Sequence, residues 1–292
     1  MRQGDKISPK LFTASLEDIF KRLNWDDKGI VIDGEHLTNL RFADDLVLFS
    51  ENIQDMLTMI NELKSESSKV GLKMNISKTK IMTNIPEAEN VRFPVEVVDK
   101  YVYLGHLISL GSQNQTAEID RRIAQAWAAF GANSQIMRGK LSIKLKAKVF
   151  DQCILPVFTY GAETMSFTKK STEKFRVAQR AMERAMLKIT LRDRKTNEWI
   201  RKKTGLTDVI STAAEKKWRW AGHIARMEHS RWTRRLLEWR PRANNRSRGR
   251  PPKRWIDDIR RHAGQDWMQR AQDRWKWKEL EEAYVQKFTT NG

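Results

Sequence analysis

The chain has 292 residues, a hydrophobic fraction of 40% and one cysteine, Cys153, which supports real cores but excludes a disulfide framework or a zinc site with two or more thiolates. A mean hydropathy of −0.66, with no apolar run of about 18 residues and no secretory signal, excludes a transmembrane helix and predicts an intracellular protein, nuclear, cytoplasmic or both. The 55 Lys and Arg residues exceed the 36 Asp and Glu residues by 19, which favours nucleic acid as a partner.

The charge is concentrated in the C-terminal third. Residues 192–292 hold 27 Lys and Arg and 13 Asp and Glu, and so supply +14 of the net +19. Nine of the eleven tryptophans lie in the same stretch. We therefore expect a basic, tryptophan-rich tail there.

The first hundred residues show alternating helical and strand-like patterns. Ser8 followed by Pro9 is typical of a helix start. The predicted elements are a helix from Ser8, β-hairpins from Gly29 to Ser50 with turns at Asp33-Gly34 and Asp44-Asp45, a helix from Ile53 to about Gly71, and strands at Thr79–Met82, Val95–Val98 and Tyr101–Ile108.

After Gly111 the strand-like patterns fade and apolar residues repeat at helical spacing. Helices are predicted at Thr116–Met137, Ser142–Cys153 and Ser171–Leu191, and two more around Gly205, between Lys195 and Met227. The last two form either a helix-turn-helix or, more simply, an αα-hairpin with a basic face. The chain as a whole is predicted to be α+β.

The most informative string is LRFADDLVLFS, Leu40 to Ser50. Asp44 and Asp45 lie between apolar runs, at the tip of a predicted hairpin. Adjacent carboxylates raise each other's pKa unless a cation lies between them, and a divalent metal is the usual cation. On the dipeptide alone, an exposed Asp-Asp turn is the competing interpretation.

Four ordered motifs resemble the palm of reverse transcriptases from non-LTR, LINE-type retrotransposons. The resemblance extends into the tail, which is similar to the C-terminal region of RTE-type endonuclease/reverse transcriptases. In the family's terms, the strings are QGDKISPKLF (motif B, Gln3–Phe12), FADD (motif C, Phe42–Asp45), GLKMNISKTK (motif D, Gly71–Lys80) and YLGHLIS (motif E, Tyr103–Ser109). The strings in the tail are WRWAGHIARM, SRWTRRLLEWRPR, GRPPKRWIDDI and WMQRAQDRWKWKELEEAYVQ.

The resemblance implies RNA-directed DNA synthesis on an RNA template with a DNA primer or target, by two-metal catalysis with Mg²⁺. Asp44 would be the principal metal ligand and Asp45 a secondary one. Gln3 and Gly4 would line the nucleotide pocket.

Two further elements follow from the resemblance. Lys78 would protonate the leaving pyrophosphate, with Lys80 as the competing residue and a solvated edge-strand charge as the alternative for both. Leu104, Gly105 and His106 would form the hairpin that grips the primer terminus, although His106 is equally consistent with a structural histidine.

The family's motif A, which carries the other metal-binding aspartate, lies upstream of motif B and has no counterpart in this sequence. We therefore expect a partial palm at 1–110, a helical thumb-like domain at 111–191 and a basic nucleic-acid-binding region at 192–292, inactive without motif A. The alternatives are a non-catalytic RNA- or DNA-binding remnant and a reading frame that does not fold stably. The sequence does not determine the oligomeric state.

The tail carries the predicted nucleic-acid contacts. Interleaved tryptophan and arginine are able to stack bases and neutralise phosphates, or the indoles form a small core. The string SRGRPPKR resembles an AT-hook that enters a minor groove, with a phosphate-contacting linker as the alternative. The candidate contact residues are Arg231, Arg240, Arg248, Arg250, Lys253 and Arg254.

Overall fold

The computed structural model of the protein describes residues 5–86, 91–111, 114–239 and 253–291. They form two compact units, the first ending for the most part at Tyr101 and the second beginning at Val102. The first unit mixes helices with short strands, whereas the second is almost entirely helical. The predicted α+β class is therefore confirmed. Within the described ranges, no helix has the length and apolarity needed to cross a membrane.

The described part of the first unit consists of two helices and short two-stranded sheets. Its elements are α1 (Ser8–Arg22), β1 (Ile30–Ile32), β2 (Glu35–Leu37), β3 (Asn39–Phe42), β4 (Asp45–Leu48), α2 (Ile53–Lys69), β5 (Lys80–Ile81) and β6 (Glu96–Val97). Strands β1 and β2, and β3 and β4, pair antiparallel, whereas β5 and β6 pair parallel. Asn52 caps α2, since its side chain accepts a hydrogen bond from the amide of Asp55 at 2.8 Å.

The main core of the first unit joins α1 to α2. The buried residues are Leu16, Ile19, Trp25, Met59 and Leu63. The indole of Trp25 donates a hydrogen bond to Glu62 at 2.7 Å, which satisfies its polar atom. Leu46 and Leu48 of β4 pack on this core, so the core fixes the hairpin that carries Asp44 and Asp45.

The second unit is a helical array preceded by one hairpin, whose first strand spans the boundary. Its elements are β7 (Lys100–Tyr103), β8 (His106–Ser109), α3 (Asn114–Ala132), α4 (Ser134–Met137), α5 (Ile143–Val149), α6 (Leu155–Phe158), α7 (Lys169–Leu187), α8 (Asn197–Thr204), α9 (Val209–Ala225), α10 (Trp232–Glu238), α11 (Asp257–Ala263), α12 (Trp267–Arg270) and α13 (Arg274–Asn291). A π-helical segment, Phe150–Ile154, joins α5 to α6.

One hydrophobic core runs through the second unit, from Ile119 of α3 to Phe288 of α13. Helices from the predicted thumb and from the predicted tail both contribute to it. The boundary at residue 191 therefore marks no break in packing. The three-part functional division remains a prediction.

The run from Tyr101 to Ile108 is predicted from its apolar pattern as a strand. The structure instead divides it into β7 and β8, which pair as a hairpin. Leu104 and Gly105 form the turn, with φ angles of 45° and 74°. The structure therefore has a β7–β8 hairpin at the position where the family resemblance implies one.

Candidate active site and nucleic-acid interface

The two adjacent acids lie at the end of the β3–β4 hairpin. Phe42 pairs with Asp45 as the last step of the ladder, so Ala43 and Asp44 form the turn. Ala43 has a φ of 51°, in the left-handed region that residues other than glycine rarely adopt. Both carboxylates are exposed, and within the described ranges neither has a hydrogen-bond or ion-pair partner. The pair is thus available to a cation.

Arg41 anchors the hairpin to α1. Its guanidinium pairs with Glu17 at 2.8 Å and lies 4.6 Å from the centroid of the Phe20 ring. Leu46, the ladder partner of Arg41, packs on the core. Because successive side chains of a strand point to opposite faces, Asp45 projects away from that core.

Other acids near the start of the chain are used by the fold. Asp5 accepts a hydrogen bond from a backbone amide at 3.0 Å. Glu17 pairs with Arg41, and Asp18 pairs with Arg22 one turn along α1. Among the residues that the structure describes, no group of three or more His, Cys, Asp or Glu side chains is arranged to hold a metal. The described part of the hairpin site therefore offers two carboxylates.

The two candidate lysines of the predicted motif D, Lys78 and Lys80, have different surroundings. Lys78 lies in a turn organised by Asn75, whose side-chain oxygen accepts a hydrogen bond from the Lys78 amide at 3.1 Å. The Lys78 side chain is exposed and has no partner in the described part of the chain. Lys80, by contrast, pairs with Glu96 across the β5–β6 ladder. Only the Lys78 ammonium is thus uncommitted.

The Leu104-Gly105 turn is held from three sides. The Tyr160 hydroxyl donates a hydrogen bond to the Leu104 carbonyl at 2.8 Å. Arg121 donates to the Gly105 carbonyl at 3.1 Å, and Arg122 donates to the same oxygen. A Cβ at Gly105 would lie only 3.2 Å from the Tyr160 ring. The turn therefore needs glycine for its positive φ and for this close approach.

A buried carboxylate on α3 orients both arginines. The Glu118 side chain is 1% exposed and accepts a hydrogen bond from Arg122 at 2.5 Å. It also lies 3.2 Å from Arg121 and accepts the amide of Leu107, in β8, at 2.8 Å. We call Glu118, Arg121, Arg122 and Tyr160 the turn network. It connects the predicted primer-contacting turn to α3 and to Tyr160.

No sequence pattern singled out a residue of the turn network. The available signal was a glutamate followed three and four residues later by arginines, but such spacing is common on exposed helix faces. Nothing in the sequence placed Tyr160 near the turn, because the two are 56 residues apart.

His106 joins the turn network at its edge. Its Nδ1 lies 3.7 Å from Glu118. Burial lowers the pKa of His106, Glu118 raises it, and Arg121 and Arg122 lower it further. The His106 imidazole is therefore neutral at neutral pH. The adjacent turn residue, Leu104, is 38% exposed. The role of His106 in the primer-contacting hairpin stays a prediction.

The tail places several of its tryptophans in the core. Trp218 and Trp277 stack with their centroids 3.9 Å apart, and each indole donates a hydrogen bond to the backbone carbonyl of the other, at 2.9 and 3.0 Å. Trp267 is also buried. Lys217 is fully buried beside Asp258, 2.8 Å away; burial lowers its pKa, and Asp258 opposes that effect.

The predicted nucleic-acid contacts are only partly described. Arg231 and Arg254 are exposed. Lys253 donates a hydrogen bond to the Phe167 carbonyl at 2.7 Å and lies 3.7 Å from Asp258, so it supports the fold. The residues Gln3, Gly4, Arg240, Arg248 and Arg250 lie outside the described residues.

The chain is similar to reverse transcriptases and to transposon-derived proteins. Residues 1–108, which contain both the Asp44-Asp45 hairpin and the Leu104-Gly105 turn, match the family model of reverse transcriptase (RNA-dependent DNA polymerase). A transposon-derived protein of Caenorhabditis elegans is 34% identical over 281 residues, which is 89% of this chain and 99% of that protein. The retrovirus-related Pol polyprotein of the type-1 retrotransposable element R2 of Nasonia vitripennis is 29% identical over 96 residues, which is 33% of this chain and 9% of that polyprotein.

Proposed function

We propose that this chain, which belongs to the family of transposon-derived proteins with a reverse-transcriptase domain, supplies part of a palm and binds an RNA template and a DNA primer or target in RNA-directed DNA synthesis. The observation that carries the proposal is the pair of uncommitted carboxylates at the β3–β4 turn, within the matched residues 1–108. Because its tail sequence resembles theirs, we further assign the chain to the LINE-type, RTE-like endonuclease/reverse transcriptases. We propose that it acts in the nucleus, the cytoplasm or both.

The donor chemistry of the hairpin fits Mg²⁺. Hard carboxylate oxygens are its preferred protein ligands, and the ion is commonly held by one or two carboxylates together with substrate phosphates. Asp44 and Asp45 would hold it, with Asp44 as the principal ligand. When bound, Mg²⁺ supplies activation of the primer 3′-hydroxyl and neutralises charge on the transferred phosphate.

The chain's own residues would take the remaining roles. Lys78 carries an exposed ammonium without a partner in the described part of the chain, and would donate a proton to the departing pyrophosphate. Gln3 and Gly4 would border the incoming nucleotide. Leu104, Gly105 and His106 would contact the primer terminus, held in place by the turn network.

Two carboxylates are fewer than a two-metal site uses, so we expect no primer extension from the 292-residue chain with Mg²⁺ or Mn²⁺. Supplying a palm segment with a further metal-binding aspartate should restore it. In that active preparation, Asp44→Asn should reduce nucleotide addition by orders of magnitude, because a ligand of a preorganised site is lost. Asp33→Asn, at the β1–β2 turn, is the matched control and should leave activity unchanged.

Robust extension by the chain alone would refute the requirement for a further aspartate. Equal activity of Asp44→Asn and Asp33→Asn would refute the metal site itself. A non-catalytic role in binding RNA or DNA is the second candidate function. It is favoured by the +14 net charge of residues 192–292 and by the presence of only two candidate metal ligands among the described residues at the hairpin.

A further inference from the structure

Trp199 is an exposed indole on a well-anchored helix. It lies on α8 with 36% of its surface exposed, whereas its neighbour Ile200 is fully buried. Thr196 caps the helix by accepting the Trp199 amide at 3.2 Å, and Asn197 accepts a hydrogen bond from Arg184 of α7 at 2.9 Å. The helix therefore has anchors other than the Trp199 ring.

Two lysines lie over this ring. The Nζ atoms of Lys195 and Lys203 are 5.3 and 5.8 Å from the Trp199 ring centroid. Ammonium groups at such distances are attracted to the negative face of the indole. We call these three residues the Trp199 patch.

The surroundings of the Trp199 patch are strongly basic. Residues 192–203 contain six Lys and Arg and two Asp and Glu, and all of them except Ile200 are exposed or lie at the helix surface. Asp193 is engaged by Thr190, whose amide and hydroxyl donate to its carboxylate at 2.6 and 2.9 Å. A surface that combines an accessible aromatic face with excess positive charge is complementary to a polyanion that has flat apolar groups.

We propose that the Trp199 patch binds single-stranded nucleic acid, with one unpaired base stacked on the indole and the ammonium groups of Lys195 and Lys203 on flanking phosphates. The inference rests on the proposed function for nucleic acid as the partner. A stacked base displaces an ammonium from the ring, and the phosphates of the same strand give that ammonium a new counter-charge. Duplex bases are already stacked on each other, so single strands are preferred.

Binding of labelled oligonucleotides to the full chain, measured by fluorescence anisotropy over a salt series, tests the proposal. The ligands are single-stranded RNA and DNA of one sequence, the corresponding DNA duplex, and a DNA strand with abasic residues. The variants are Trp199→Ala, Trp199→Phe and the double variant Lys195→Gln/Lys203→Gln. Matched controls are Trp275→Ala, whose indole is 78% exposed on α13, and Lys170→Gln/Lys278→Gln, at exposed positions.

Trp199→Ala should weaken binding to base-containing single strands by roughly 5- to 100-fold, the usual effect of losing one aromatic stacking partner. Trp199→Phe should retain most of the affinity, because it keeps a π-face. On the abasic strand, all three Trp199 forms should bind alike. In the Lys195→Gln/Lys203→Gln variant, the slope of log affinity against log salt concentration should become shallower by about 1.4, about 0.7 for each lost phosphate contact. This change should be the same on abasic and normal strands.

If the wild type binds and Trp199→Ala weakens the affinity no more than Trp275→Ala does, the proposal is overturned and the proposed function stays intact. An equal loss on the abasic strand would also overturn it, since the indole would then act without a base. Absence of any wild-type binding to RNA or DNA would instead count against the proposed function. Stronger binding of RNA than of DNA by the wild type, lost in Trp199→Ala, would support the proposal with RNA as the preferred ligand of the Trp199 patch.

Discussion

Glu118 is the residue on which the turn network depends, and its removal should be costly. The Glu118→Ala variant would leave the Arg122 guanidinium, which is 5% exposed, without its carboxylate, and the Leu107 amide without its acceptor. Removing one partner of a buried ion pair typically costs about 3–5 kcal/mol, because the remaining charge stays buried. Glu118→Gln retains an acceptor for the Leu107 amide and should fall between the wild type and Glu118→Ala.

Asp120, two residues along the same helix, is the matched control. It pairs with Lys174 at 2.5 Å, but its side chain is 55% exposed, and exposed pairs contribute about 0.2–1 kcal/mol. In urea denaturation followed by circular dichroism, Glu118→Ala should lower the midpoint by about 1–2 M, for an m-value of about 2–3 kcal/mol/M. Asp120→Ala should lower it by a few tenths of that shift. Equal midpoints for the two variants would refute the reasoning that burial makes Glu118 essential.

Three other predictions concern Lys78, His262 and the pair Arg248 and Arg250. In a preparation active for primer extension, Lys78→Ala should slow nucleotide addition by roughly 10²- to 10⁴-fold with unchanged template-primer binding; a larger effect of Lys80→Ala, whose lysine is paired with Glu96, would reverse the assignment. Burial and the positive charge of Lys287 lower the pKa of His262, so the unfolded chain binds more protons than the folded chain and stability should fall as pH decreases through about 6.5. The urea midpoints measured above and below this pH should differ less in His262→Phe than in the wild type. Part of the pH dependence should remain in that variant because of His106. Replacing Arg248 and Arg250 by lysine should abolish any preference of the full chain for A·T-rich duplexes, because lysine keeps the charge but not the planar fork; binding without A·T preference in the wild type would identify SRGRPPKR as a phosphate-contacting linker.

The sequence predicted those parts of the fold that depend on local signals. Helix α1 begins at Ser8 with Pro9 in its first turn, and the Asp33-Gly34 turn separates β1 from β2, because helix starts and tight turns are determined by a few adjacent residues. The hairpin that carries Asp44 and Asp45 also followed from local pattern, but its turn is Ala43-Asp44, one residue earlier than the predicted Asp44-Asp45, because Asp45 pairs with Phe42 in the ladder. The β7–β8 turn did not, because Leu104 at positive φ lacks the Asn or Asp that usually marks such a turn.

The residues that hold the Leu104-Gly105 turn in place come from elsewhere in the chain. Arg122 is 17 residues from Gly105, and Tyr160 is 56 residues from Leu104. Single-sequence patterns carry no information about contacts over such separations. The family resemblance identified the turn, but the chemistry that fixes it is visible only in the packing.

The tail shows why composition alone overstates a binding surface. Lys217 counts toward the positive charge of residues 192–292, yet it is fully buried beside Asp258, and Lys253 is engaged by the Phe167 carbonyl. The indoles of Trp218 and Trp277, 59 residues apart, satisfy each other within the core, while Trp199 is left exposed. Which lysines and tryptophans are buried depends on partners that are distant in the sequence, so the count of basic and aromatic residues does not locate a binding surface. In the described tail, exposed positive charge and an exposed indole occur together at the Trp199 patch.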